Sequence, residues 1–253
     1  MKSTTTFNSW VTSPQPNPDA TMRLFCFTYA GGNATTFRTW HHNLPNNIEV
    51  CPIEIPGRGR QIKAIPHQKI APLLTEITDH IIPFLDKPFL IFGYSMGSLI
   101  SFELCRLLRS QYNLSPLHLL VAARRAPQFP PEKPLISHLP NDQFIVELSK
   151  FNGTPQVILD NPELMEIFLP VIRADFTLLE SYNYTEKAPF DFPITAFGGL
   201  QDPEVSHNAL QAWEVQTNAS FCLKMLPGDH FFINSAKKPL LQYISQIILA
   251  LPD

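Results

Sequence analysis

Positions 91–100 read IFGYSMGSLI, a serine with a glycine two places to either side, directly after an apolar run. A serine hydroxyl is a weak nucleophile until a base takes its proton. Such a residue does chemistry only beside a histidine, which is itself oriented by a carboxylate. Between a strand and a helix, G-x-S-x-G forms a tight, strained turn that holds the hydroxyl above the sheet edge. Gly93 and Gly97 supply the small residues this turn needs. Standing alone, the motif fits equally a glycine-rich strand-to-helix turn with no chemistry.

It has company. Of the 8 histidines, only His230, in LPGDHFF, follows the last expected strand, where a base would be placed in this architecture. His207 precedes that strand, His41, His42, His67, His80 and His118 accompany the earlier sheet, and His138 falls in an inserted segment. These seven read as surface or satisfied core residues. The carboxylate must end a strand and lie between serine and histidine in chain order. Ala123, Arg124 and Arg125 offer no acid, whereas Asp202 in FGGLQDPEVS stands before a proline that halts the strand. Asp191 is at the wrong end of that strand, Asp142, Asp160 and Asp175 belong to the insertion, and Asp229 adjoins His230 and points elsewhere. Negative charge developing on the substrate needs two converging backbone N–H groups. Met96, next after the nucleophile, is one. The loop TYAGG at 28–32 offers the other, Ala30 first and Tyr29 as the alternative. A phosphate-cradling reading of this loop is weak, because no GK[ST] follows.

The elements that must position these groups are legible as short apolar runs alternating with segments of helical period, the pattern of a mostly parallel sheet covered by helices. Strands are predicted at 22–28, 49–53, 89–92, 118–122, 194–197 and 221–226, and helices at 70–84, 98–112 and 236–250. The stretch 130–187 breaks the alternation and reads as several short helices inserted between two strands, a helical lid over the sheet. The fold class is therefore α/β, with a loose leader over 1–20 and a single domain over 21–253.

Composition narrows the function. The 253 residues suffice for a sizeable core, and a net charge of -3 gives no reason to expect nucleic acid. No apolar stretch approaches the roughly 20 residues of a membrane span, and the N-terminus lacks a signal peptide's apolar core, so a cytoplasmic protein is expected. Cys26, Cys51, Cys105 and Cys222 form no CxxC pair and are expected as buried free thiols. No metal site is expected. Proline is unusual, 25 residues or roughly twice average usage, clustered at 14–18 and 127–140.

Taken together, LFCFTYAGGNATTF, PIEIPGRGR, FGYSMGSLISFEL, AARRAP, NGTP, LPVIRADF, Tyr182, FGGLQDP and LPGDHFF resemble the type II thioesterases, the editing enzymes of polyketide and nonribosomal peptide synthesis. The resemblance covers all but the first twenty or so residues. It implies an α/β-hydrolase fold with a helical lid, hydrolysis of acyl thioesters held on the phosphopantetheine arm of an acyl or peptidyl carrier protein, and no further cofactor. It carries the triad onto Ser95, Asp202 and His230, with Met96 and Ala30 as oxyanion donors and a monomer expected. Thr28-Tyr29 departs from the commoner pairings ahead of AGG and leaves substrate preference open. In the lid, Phe144, Leu148, Leu164 and Phe168 suit an apolar acyl chamber or simply pack the cap, with Phe144 and Phe168 taken as substrate-facing beside Tyr29. Arg58, Arg60, Lys63, Arg124 and Arg125 are candidates to face an acidic carrier, against a default of solvated surface charge. The rivals are a chain-releasing thioesterase, a general carboxylesterase acting on oxygen esters, and a non-catalytic module of hydrolase fold.

Overall fold

The structure is a computed structural model that describes residues 8–130, 134–151, 153 and 156–251. Six strands, β1 (Met22–Phe27), β2 (Ile48–Pro52), β3 (Phe89–Tyr94), β4 (His118–Ala122), β5 (Ile194–Gly199) and β6 (Phe221–Leu226), form one sheet in the order β2-β1-β3-β4-β5-β6. Every neighbouring pair is parallel. The described α-helices are α1 (Ile70–Ile81), α2 (Met96–Leu107), α3 (Asn141–Ser149), α4 (Gln156–Leu159), α5 (Pro162–Glu180), α6 (His207–Gln211), α7 (Phe232–Ser235) and α8 (Lys237–Leu249).

Side-chain alternation along the buried strands divides the core in two. Phe25 and Phe27 of β1 share one apolar cluster with Leu73 and Ile77 of α1 and Phe102 of α2. Met22, Leu24 and Cys26 of the same strand share another with Leu240, Leu241 and Ile244 of α8. A central strand covered by helices on both faces must be apolar at every position, which is why the strands read as continuous runs. Two strands outlast their predicted ends. Gly93 and Tyr94 stay in the ladder opposite Val121 and Ala122, and Gly198 and Gly199 pair with Met225 and Leu226. Cys26, Cys51 and Cys105 are buried, while Cys222 on the edge strand β6 is half-buried, and all four thiols are free.

The leader requires correction. Residues 8–12 are packed against the sheet, with Val11 bridging antiparallel to Ile53 and Thr12 N–H donating to the Pro52 carbonyl at 3.0 Å. The Asn8 side chain accepts from the amides of Trp10 and Val11, and Trp10 stacks on His80 with centroids 4.9 Å apart. Prolines 14, 16 and 18 signal a loop correctly, but Trp10 and Val11 bring enough apolar area to bury on the edge strand. Residues 1–7 lie outside the described residues.

Between β4 and β5 lies the helical insertion, and it is less broken than its prolines suggest. Pro162 starts α5 at the position where no N–H is needed, Asn161 caps the Leu164 amide at 3.1 Å, and the helix runs 19 residues through Pro170. Ile136, Phe144, Leu148, Met165, Leu169 and Ile172 give this lid a core of its own. That burial offsets the hydrogen bond which Pro170 removes.

His118 opens β4, buried, with Nε2 2.9 Å from Thr195 Oγ1 on β5. Burial pulls its pKa down to about 4. The unfolded chain binds this proton near pH 6.5 and the folded chain only near 4, so stability falls as pH drops through that window. The full loss is about 3 kcal/mol, at about 1.4 kcal/mol per pH unit. Urea unfolding of His118→Gln between pH 7 and 4 should show a correspondingly shallower pH slope than wild type. Equal slopes would mean that His118 does not titrate in this window.

Candidate active site

β3 delivers Ser95 and α2 leaves from it, so the candidate nucleophile sits at the turn itself. Its backbone is held at φ 52, a left-handed conformation costly for any residue with a Cβ. The flanking glycines allow it. A Cβ on Gly93 would lie 2.3 Å from the Gly97 carbonyl oxygen, and one on Gly97 would lie 2.2 Å from that of Phe27. Helix and strands therefore touch backbone to backbone. Ser98 fastens the turn: its hydroxyl accepts from Ala122 N–H at 3.0 Å and lies 2.7 Å from the Gly93 carbonyl and 2.9 Å from that of Ala122. Ser95 N–H donates to the same Ala122 carbonyl at 2.8 Å.

His230 Nε2 lies 3.2 Å from Ser95 Oγ, and its Nδ1 lies 2.9 Å from Asp202 Oδ2. Asp202 follows β5, its side chain fully buried, and its second oxygen accepts from Glu204 N–H at 2.7 Å. An acceptor-only carboxylate fixes the proton on Nδ1 and leaves Nε2 free to accept from the serine. Asp229 is committed to its own turn, where Oδ1 accepts from Phe231 N–H at 2.9 Å. Tyr94, which the motif writes only as an x, anchors the histidine loop: its hydroxyl donates to the His230 carbonyl at 2.6 Å and accepts from Ile233 N–H at 3.2 Å. The strand-then-glycine pattern gives no hint of this, since a tyrosine there reads as one more core aromatic.

The two candidate donor amides are unspent. Met96 opens α2, where the first amides have no carbonyl within the helix, and Ala30 N–H makes no hydrogen bond to any described residue. Tyr29 is ruled by its neighbours, its carbonyl accepting from Gly32 N–H at 2.9 Å and its ring edge-on to Tyr94 and Phe231. A cavity of about 360 Å³ opens over this group, with Ser95, His230, Tyr29 and Ala30 in its wall. Its apolar lining comes from Phe129, Leu135, Phe151, Phe176 and Leu179, most of it from the lid.

Phe144 and Phe168 are placed elsewhere. Phe144 is wholly buried inside the lid, edge-on to Phe176 with the Arg173 guanidinium 4.2 Å over its ring, and is not part of the wall around Ser95. Phe168 is not in the wall that holds Ser95; it borders a second cavity of about 340 Å³ beside Gly31 and Gly32, which shares Tyr29 and Ala30 with the first. Each sits at helical spacing on its own helix, Phe144 on α3 and Phe168 on α5, and spacing alone does not say which way a lid helix faces.

The five basic candidates also divide. Arg60 and Lys63 are exposed. Arg58 is buried and paired with Asp175, which corrects both readings offered for it. Arg125 lines the cavity and donates to the Phe129 carbonyl at 3.2 Å. Arg124 lines it too; burial and then the Arg125 charge pull its pKa down to about 9. Tyr182, also in the wall, is tied to Glu103 at 2.7 Å.

A parallel sheet in this order, with a nucleophile turn after β3, an acid after β5 and a histidine after β6, defines an α/β-hydrolase. The sequence model of the thioesterase domain matches residues 22–248, and the chain belongs to the thioesterase family as a serine hydrolase of its type II group. Among its relatives, the gramicidin S biosynthesis protein GrsT of Aneurinibacillus migulanus is 43% identical over 237 residues, 94% of this chain and 93% of that protein. The type II thioesterase BorB from the borrelidin biosynthetic cluster superposes with a TM-score of 0.87 at 28% identity, over 96% of this chain and 98% of that one. YbtT, a type II thioesterase of the yersiniabactin pathway, gives 0.83 at 29% identity over 94% and 97%. No helix among the described residues is long and apolar enough to cross a membrane.

Proposed function

We propose that this chain clears stalled or misloaded acyl groups from the phosphopantetheine arms of acyl or peptidyl carrier proteins, in the cytoplasm and with no cofactor beyond the arm that carries the substrate. One observation carries the reading: the Ser95–His230–Asp202 relay opens into an apolar, lid-covered cavity rather than onto bare surface. Ser95 Oγ attacks the thioester carbonyl while His230 Nε2 takes its proton, and the amides of Met96 and Ala30 receive the negative oxygen. The imidazolium then gives its proton to the departing sulfur. Water, deprotonated by the same nitrogen, releases the acid and restores Ser95. The relatives' pathways and the exposed pair Arg60 and Lys63 support an acidic carrier as partner.

Comparing one acyl group as a carrier thioester and as a p-nitrophenyl ester tests this reading. The carrier should win in kcat/KM by at least tenfold, and preference for the oxygen ester would favour a carboxylesterase instead.

The cavity wall sets a further expectation. Leu179→Phe should lower kcat/KM for the longest acyl groups accepted and leave acetyl nearly unchanged. Phe144→Ala should cost about 3–5 kcal/mol of stability and reduce turnover of every chain length alike. A chain-length panel beside a thermal melt reads both. If Phe144→Ala shifts length preference at an unaltered midpoint, the wall has been misassigned.

A further inference from the structure

The loop that carries Ala30 is clamped from two distant parts of the chain. Gly31 N–H donates to Asp175 Oδ2 at 2.7 Å, and Arg58 Nη1 donates to the Gly32 carbonyl at 3.1 Å. Arg58 and Asp175 close the ring with a two-pronged pair, Nη1 to Oδ2 at 2.9 Å and Nη2 to Oδ1 at 2.7 Å. Asp175 belongs to the lid helix α5, and Arg58 to the loop after β2. Both side chains are buried, at 5% and 2% exposure, so water replaces none of these bonds.

Stability alone does not call for such a pair, because a matched apolar couple in the same space serves as well or better. What an apolar couple cannot do is orient peptide groups. Gly31 sits at φ 76, where its amide could turn either way, and a carboxylate accepts the N–H but repels a carbonyl. Gly32 N–H holds the Tyr29 carbonyl, and in a trans peptide the Ala30 N–H must then point the opposite way. Three successive peptide groups are thus fixed, and of their amides only Ala30 N–H is left unbound.

We infer that Arg58 and Asp175 are positioning residues which aim the Ala30 amide at the developing oxyanion, so that a seated lid helix and a formed oxyanion hole occur together. The inference rests on the thioesterase reading with Ala30 as donor. It places the lid in the catalytic machinery as well as in the chamber wall.

The test uses the double variant Arg58→Met with Asp175→Leu, which fills the space and leaves no charge unpaired, alongside the single variant Asp175→Asn. Active sites are counted by fluorophosphonate titration, and turnover of an acyl carrier is expressed per titrated site. The double variant should melt at the wild-type midpoint, keep KM within about threefold, and lose about 100-fold in per-site kcat, as removal of one oxyanion donor does. Asp175→Asn, which keeps one acceptor for Gly31, should lose about tenfold. Wild-type kcat per site in the folded double variant overturns the inference. Should that variant not fold, wild-type kcat per site in Asp175→Asn overturns it equally. Failure of the wild-type protein to react with the fluorophosphonate would instead sink the serine-hydrolase reading on which the inference stands.

Discussion

Ser95→Ala should fold like wild type and lose hydrolysis of acyl carriers by on the order of 10⁶-fold, about 8 kcal/mol of barrier. The intact fold follows from what holds the turn. The strained backbone at Ser95 is over-determined by the Ser98 hydroxyl, by the contact of Gly97 with the end of β1, and by the bond from its own amide to Ala122. None of these uses Oγ, which among the described residues is partnered by His230 at 3.2 Å. The chemistry has no such redundancy. Without the hydroxyl, His230 can at best activate a water, and the oxyanion donors act on a far slower attack. Retention of more than a few per cent of the wild-type rate on a purified acyl carrier would sink Ser95 as nucleophile.

The sequence discloses this site unevenly, and the physics of each contact explains why. The nucleophile turn, the acid and the base each carry a local mark: glycines forced by backbone contact at Gly93 and Gly97, a proline after Asp202, a histidine after the last apolar run. The positions of the strands and the lid follow from periodicity, which reports burial on one or both faces, whereas the order of the strands in the sheet does not. Contacts between remote segments leave no such mark. Arg58 and Asp175 lie 117 positions apart, and nothing local distinguishes either from a solvated surface charge. Tyr94 and His230 are 136 apart in the same way. Phe144 shows the converse limit: its spacing places it on the lid's apolar stripe, but a lid has a core of its own to fill before it lines a chamber. Trp10 and Val11 were hidden by their prolines, since composition averages over a window in which only two residues pack.

Asp202→Asn should keep every backbone contact and still lose on the order of 10⁴-fold in kcat. The reason lies in the two bonds of that carboxylate. Oδ1 accepts from Glu204 N–H and Oδ2 faces His230 Nδ1, so the wild-type group uses both oxygens as acceptors. An asparagine has one. Its oxygen must go to the Glu204 amide, because two donors cannot face each other in a fully buried site. Its amino group then points at Nδ1, which has to become an acceptor, and the ring proton moves to Nε2. There it faces the Ser95 hydroxyl as a donor and cannot take the serine proton. The loss should fall on acylation, so fluorophosphonate labelling should slow in parallel with turnover while KM stays near wild type. Asp229→Asn is the control: among the described residues its carboxylate accepts from the Phe231 amide, which an asparagine oxygen can also accept, and a change within a few fold is expected. If Asp229→Asn were the damaging substitution and Asp202→Asn the mild one, the orienting carboxylate would be Asp229, and β5 would lose its part in the relay.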